Sequence, residues 1–201
     1  MANALWRNAA TLLLAVRNSS PSSSKFDYTL LMLKRSRKSK FMPSAYVFPG
    51  GVTEKSDFCQ TWKDILEPVR PLESLILRDV PRPMLMKPEV GLLEPDVGFR
   101  INAIRETFEE TGILLHLPTG DTIKSEQFLE WRSRVHNDST LFMTMCQELK
   151  VVPDVWSLFE WSDWLVFYVT LIHYFVKLFS IIYNFYYTFE KQKPLWHKSR
   201  C

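Results

Sequence analysis

The stretch that decides the fold is Arg105-Glu106-Thr107-Phe108-Glu109-Glu110-Thr111-Gly112-Ile113, read with Phe48-Pro49-Gly50-Gly51 upstream of it. On a helix, Glu110 lies four residues and Glu109 three residues from Glu106, so three carboxylates project from neighbouring positions. Like charges at that spacing repel, by about a few tenths of a kcal/mol per pair. A divalent cation reverses the sign, because carboxylate oxygens suit hard ions such as Mg2+ and Mn2+. Arg105 can pair with Glu109 one turn on, while Ile101, Ile104 and Phe108 bury the opposite face. Asp96 is the expected N-cap and Gly112 the expected stop. Alone, three glutamates read as the acidic solvated face of an ordinary helix. They are preceded by a strand ending in Gly50-Gly51, and paired glycines let the backbone turn tightly and approach a ligand closely.

Together these residues resemble the Nudix box of the Nudix hydrolases: Arg-Glu-x-x-Glu-Glu-x-Gly-Ile with an upstream Phe-Pro-Gly-Gly. Thr107 stands where an aliphatic residue is usual. Gly51 is similar to the opening glycine of the box, yet Arg105 follows 54 residues later (105 − 51), so residues 52–95 form an insertion inside it. The mid-box glutamate has no evident counterpart, since Val97 stands where the register from Arg105 places it. An interrupted box of this kind resembles the acyl-coenzyme A diphosphatase branch, as do Phe41-Met42-Pro43 and a Trp-rich stretch ending at Trp164. Leu30 to Gly51, with Arg35-Ser36, resembles the coenzyme A recognition stretch of related enzymes.

The resemblance implies an α/β fold, the Nudix α/β/α sandwich around a mixed sheet, spanning residues 5–164. It implies hydrolysis of a diphosphate, in coenzyme A or acyl-coenzyme A, to 3',5'-ADP and 4'-phosphopantetheine or its acyl form. Mg2+ or Mn2+ would bind to Glu106, Glu109 and Glu110, with Glu109 and Arg105 as catalytic residues and Arg35, Ser36, Gly50 and Gly51 at the substrate. Another nucleoside diphosphate derivative is the alternative substrate. Relatives of this branch are peroxisomal or mitochondrial, although the chain ends Lys198-Ser199-Arg200-Cys201 rather than in a Ser-Lys-Leu type tripeptide.

Outward from the motif, Ala10–Val16 reads as a buried first strand. Residues 1–26 also lack acids and carry Arg7, Arg17, Lys25 and the Ser19–Ser24 cluster, the composition of a mitochondrial presequence. Tyr28–Leu33 and Ala45–Phe48 read as further strands. Between them lie Lys34, Arg35, Arg37, Lys38 and Lys40: a solvated hairpin tip, or cations that meet substrate phosphates. Half of the twelve prolines fall in 52–95, so that segment reads as an irregular loop insertion or a linker. Helical spacing recurs at Phe128, Arg132 and Val135, then at Phe142, Met145 and Leu149, with a joint near Asn137-Asp138.

Composition limits the alternatives. Across 201 residues, 25 Lys+Arg against 22 Asp+Glu give a charge of only +3, which argues against a nucleic-acid-coating protein. Cys59, Cys146 and Cys201 form no metal or disulfide pattern and read as inert thiols in a reducing compartment. His116, His136, His173 and His197 show no ligand spacing and read as structural or surface residues.

The chain is 14% aromatic, and the excess is local: residues 165–189 hold ten aromatics and Lys177 as the sole formal charge. The length suits a membrane span, though Lys177 near its centre opposes insertion by about 3 kcal/mol. A buried helix is a second reading. A third is an aberrant tail of translated non-coding sequence, since residues rich in AT codons dominate and Gly, Ala, Arg and Pro are missing from 165–193. On that third reading the last core strands are lost after Trp164, and the chain is a catalytically silent truncated product that keeps the box.

Overall fold

The apolar run at Ala10–Val16 lies within a longer strand, β1 (Leu5–Arg17), which organises the sheet of this computed structural model. The structure describes residues 5–17, 27–39, 42–77, 89–118, 123–167 and 172–183. The Ser19–Ser24 cluster, Lys25, Lys40, Phe41, three prolines of the insertion (Pro81, Pro83 and Pro88), His197 and the C-terminal tetrapeptide lie outside the described residues.

The expected strand at Tyr28–Leu33 divides in two. Strand β2 (Tyr28–Leu30) pairs antiparallel with the C-terminal end of β1, whereas β3 (Leu33–Lys34) leaves to pair with β4 (Tyr46–Val47) in a separate hairpin. Strand β5 (Gly50–Val52) then returns to the N-terminal half of β1, with Ala10 opposite Gly51. The other edge of β1 is filled by β7 (Ile172–Tyr183), parallel and in register from Leu5↔Ile172 to Val16↔Tyr183. Strand β6 (Phe159–Phe167) pairs antiparallel with β7 and closes the order β2-β1-β7-β6. The sheet is mixed and the class is α/β.

One face of the sheet carries Ala10, Leu12 and Leu14 of β1 with Phe179 and Ile181 of β7, all buried. Each fully buried leucine of this set contributes about 1.5–3 kcal/mol relative to exposure. Over it lies α2 (Pro95–Thr111), whose Val97, Phe99, Ile101, Ala103, Ile104 and Phe108 are almost completely enclosed. The N-cap is Glu94 rather than the expected Asp96: Pro95 takes the first helical position, where a missing N–H costs nothing, and Asp96 is buried in the first turn. Gly112 ends the helix as expected, at φ 78° in the left-handed region that a Cβ disfavours.

Both further helices form where the spacing predicts them, as α3 (Ser125–Asn137) and α4 (Leu141–Glu148). They reach α2 through rings: Phe108 meets Phe128 and Phe142 at 6.3 Å between centroids. The Pro-rich insertion is not a free linker. It contributes a 3-10 turn at Lys55–Phe58, the short α1 (Trp62–Leu66) and a second 3-10 turn at Leu72–Leu75, and it sends Trp62, Leu66, Leu72 and Leu75 into the core. Trp62 packs on Phe142 at 5.7 Å.

The expected break at Trp164 is corrected by β6 and β7. The strands thought to be missing are present, and β7 is an interior strand rather than a helix or a membrane span. Among the described residues no helix is long and apolar enough to cross a membrane. Lys177, the charge that opposed insertion, is buried on β7 between Glu160 and Asp163 of β6, with Asp163 at 3.2 Å. The other face of β7 is only half-buried, yet Val176 and Leu178 on it are apolar too, and for that reason the strand resembles a span in composition.

Candidate functional site

The three glutamates gather at the C-terminal end of α2, where the helix passes over β5. Two of them are not a solvated face: the Glu106 and Glu109 side chains keep only 15% and 10% of their exposure, while Glu110 is exposed. Both glycines of β5 explain how the approach is possible. A Cβ on Gly51 would fall 2.5 Å from the Glu106 carboxylate, and one on Gly50 would fall 2.3 Å from the Ala10 carbonyl oxygen. The Gly50 N–H donates to Glu110 Oε2 at 3.0 Å. Gly50-Gly51 therefore seats the acidic rim against the sheet.

Arg105 is the hub beneath that rim. Its Nη1 donates to Glu106 Oε1 at 2.9 Å and, as expected, to Glu109 Oε1 at 2.6 Å. Its Nε and Nη2 donate to the two oxygens of Asp57 at 2.8 and 3.0 Å, and Nη2 also reaches the Val52 carbonyl. Every donor of the fork is engaged within the protein. Arg105 is thereby placed to orient the Glu106 and Glu109 carboxylates. Burial alone would lower its pKa. The hydrogen bond and charge of Asp57, with Glu106 and Glu109, outweigh that and hold it above the ordinary value.

Asp57 is the residue that sequence reasoning missed. It is 1% exposed; Asn102 Nδ2 and the Glu54 N–H donate to its Oδ2 at 3.1 and 2.8 Å, and both its oxygens accept from Arg105. Counting back from Arg105 leads to Val97, which is buried in the core. Asp57 lies instead at the start of the insertion, six residues after Gly51. The other departure from the motif is also explained. Thr107 is fully buried, and its hydroxyl donates to the Ala103 carbonyl one turn back at 2.7 Å, so no donor is stranded.

Electrostatics set the rim apart from an ordinary helix face. Burial pushes the Glu106 carboxyl up to about 7; Arg105 opposes the shift, and the Glu109 and Glu110 charges add to it. Burial also raises Glu110, against the Gly50 N–H and the positive charge of Arg35. Arg35 is thus within electrostatic range of Glu110, whereas Ser36 is engaged locally, its Oγ accepting the Lys38 N–H at 3.1 Å. The Arg35 guanidinium also donates to Ser39 Oγ at 3.1 Å, which shapes the loop.

Helix α3 supplies two groups that the motif does not contain. Arg132 donates from Nε to the Glu109 carbonyl at 2.8 Å and from Nη2 to the Glu110 carbonyl at 2.7 Å. His136, one turn on, sets Nδ1 at 3.7 Å from Glu109 Oε2. It was read as structural or surface; it is exposed, and it stands beside the rim. His116 is structural: its Nδ1 lies 2.7 Å from the Leu117 carbonyl, and burial lowers its pKa. His173 lies on β7. Cys146 is buried with its thiol pKa pushed up, which makes it inert.

The donor chemistry of the rim fits a hard divalent cation. Glu106, Glu109 and Glu110 offer carboxylate oxygens, the ligands that hard cations prefer. Among the described residues no three acidic, histidine or cysteine groups are gathered so as to hold a metal ion by themselves. A hard divalent cation here would bind through one or two of these carboxylates together with waters and substrate phosphates.

Comparison with known proteins agrees with this geometry. The profile of the family described as the NUDT19 Nudix domain matches residues 6–188. The chain is 43% identical over 188 residues to "Acyl-coenzyme A diphosphatase NUDT19" of Gallus gallus, covering 80% of this chain and 50% of that protein. It is 37% identical over 194 residues to the protein of the same description from Xenopus laevis, covering 80% and 51%. The chain therefore spans about half the length of the curated relatives it matches. In fold it is similar to the crystal structure of a NUDIX hydrolase from Alicyclobacillus acidocaldarius, with a TM-score of 0.64 at 18% identity, over 91% of this chain and 72% of that one.

Proposed function

Since the chain belongs to the NUDT19 Nudix domain family, we propose that it carries the hydrolytic site of a coenzyme A or acyl-coenzyme A diphosphatase. The products are 3',5'-ADP and 4'-phosphopantetheine or its acyl form. The observation that carries this reading is the rim of half-buried Glu106 and Glu109 and exposed Glu110, seated on Gly50-Gly51 and held from beneath by Arg105 and Asp57.

Glu106, Glu109 and Glu110 would hold Mg2+ or Mn2+. The chemistry such an ion supplies is neutralisation of diphosphate charge and activation of water for attack at phosphorus. The protein's own share is placement. Arg105 keeps the Glu106 and Glu109 carboxylates in fixed rotamers, the Gly50 N–H fixes Glu110, and β5 presents a side-chain-free backbone edge to the diphosphate. Water adds one oxygen to the attacked phosphorus, the bridging oxygen leaves with the second phosphate, and a proton is released. Arg35, whose charge already reaches Glu110, supports a contact with an anionic group such as the 3'-phosphate of coenzyme A.

The test is hydrolysis of coenzyme A and of dephospho-coenzyme A by the full chain with Mn2+. Coenzyme A should be preferred by about ten-fold or more in kcat/KM, the scale of one charge-assisted hydrogen bond, and Arg35→Ala should erase the preference. Equal rates on both substrates in the unsubstituted chain would remove the 3'-phosphate contact. Absence of hydrolysis with either would contradict the whole reading.

A further inference from the structure

We propose that Arg132, on α3 and outside the motif, is a positioning residue for the metal-binding end of α2; the inference rests on the diphosphatase reading of that rim. The last carbonyls of a helix have no partner within the helix and are usually left to solvent or a local cap. Here two consecutive ones, those of Glu109 and Glu110, receive the Arg132 fork at 2.8 and 2.7 Å. They belong to two of the three residues whose side chains build the rim. The cation also complements the negative end of the helix dipole.

Glu109 is consequently held at three points. Arg105 grips Oε1, His136 faces Oε2 at 3.7 Å, and Arg132 fixes the backbone oxygen. Two of these three come from α3 and lie one turn apart on it. The register of α3 is in turn set by Phe128, Trp131 and Val135, buried against the core. Packing of α3 is thereby converted into the orientation of Glu109 and Glu110 through a rigid, bidentate link that a lysine cannot reproduce.

The experiment compares the full chain with Arg132→Met, Arg132→Lys and Glu106→Gln, reading Mn2+ affinity by electron paramagnetic resonance and kcat and KM on coenzyme A. Loss of an outer-shell partner weakens metal affinity or activity by about 10- to 100-fold. Arg132→Met should therefore bind Mn2+ at least about ten-fold more weakly and lose kcat similarly, with KM within about two-fold. Arg132→Lys should recover part of both. Wild-type Mn2+ affinity and kcat in Arg132→Met, or a rise in KM alone, overturns the proposal. Should Arg132→Met not fold, Arg132→Lys decides on the same criteria, with reduced kcat at unchanged KM as the supporting result. Glu106→Gln separates the two layers: if it binds Mn2+ as tightly as the unsubstituted chain, the metal reading of the rim fails whatever Arg132 does.

Discussion

At the scale of single residues, adjacent glycines have different tasks. Gly50 sits at φ 153° with its missing Cβ aimed at backbone, the Ala10 carbonyl and Thr11 Cα, so a side chain there has no room to yield. Gly51 faces the Glu106 carboxylate, the free end of a flexible side chain. Gly50→Ala should therefore lower stability, by about 1–3 kcal/mol or more on thermal unfolding, whereas Gly51→Ala should keep the fold and lose turnover. Equal effects of the two on melting temperature would contradict this division.

The Glu106 carboxyl makes a second prediction at that scale. Its folded pKa, about 7, lies above its ordinary value of 4.5, so the folded state binds the proton more tightly. The resulting stability is fully present below 4.5 and is lost as pH rises through 7, a change of about 3 kcal/mol in the metal-free chain; Glu110 acts in the same direction. Chemical denaturation between pH 5 and 8 checks it: Glu106→Gln should flatten most of the slope. Asp57→Asn, by leaving Arg105 buried without its partner charge, should cost about 3–5 kcal/mol.

Among the elements, what the sequence showed depended on whether the signal was local. Helix α2 was legible because Ile101, Ile104 and Phe108 repeat at its period and Gly112 stops it. Asp57 was not, because its partner lies 48 residues away and the insertion breaks the count between them. Residues 172–183 were misread for a different reason. The half-buried face of this strand carries Val176 and Leu178, as apolar as the buried face, so its sequence has no alternation to distinguish it from a helix or a span. Its one irregular residue, Lys177, is explained only by Glu160 and Asp163 on a neighbouring strand. Lys177→Met, which leaves the partly exposed Glu160 and Asp163 without their cation, should cost stability, and Lys177→Glu, which adds a third carboxylate, should cost more, above about 3 kcal/mol. Urea unfolding of the two variants distinguishes them.

For the whole molecule, the decisive relation is that β1 and β7, from opposite ends of the described chain, are neighbours along their full length. The acid-poor N-terminal segment and the aromatic C-terminal one, each of which reads as foreign to an enzyme, complete each other. Removing residues 168–201 should abolish cooperative unfolding, because β1 loses its parallel partner and the layer beneath α2 opens. A truncated chain that unfolds like the full one would restore the view that the domain ends near Trp164. The pairing also keeps the catalytic rim supported, since Gly51, Ala10 and Lys177 stand in one row across β5, β1 and β7. On the proposed function, this support holds the acidic rim in place for diphosphate hydrolysis. That function is tested most directly by Mg2+-dependent release of 3',5'-ADP from coenzyme A by the 201-residue chain beside Glu110→Gln. The account predicts release by the unsubstituted chain and a loss of at least about 100-fold in kcat for the variant. Equal rates from both, or none from either, would contradict it.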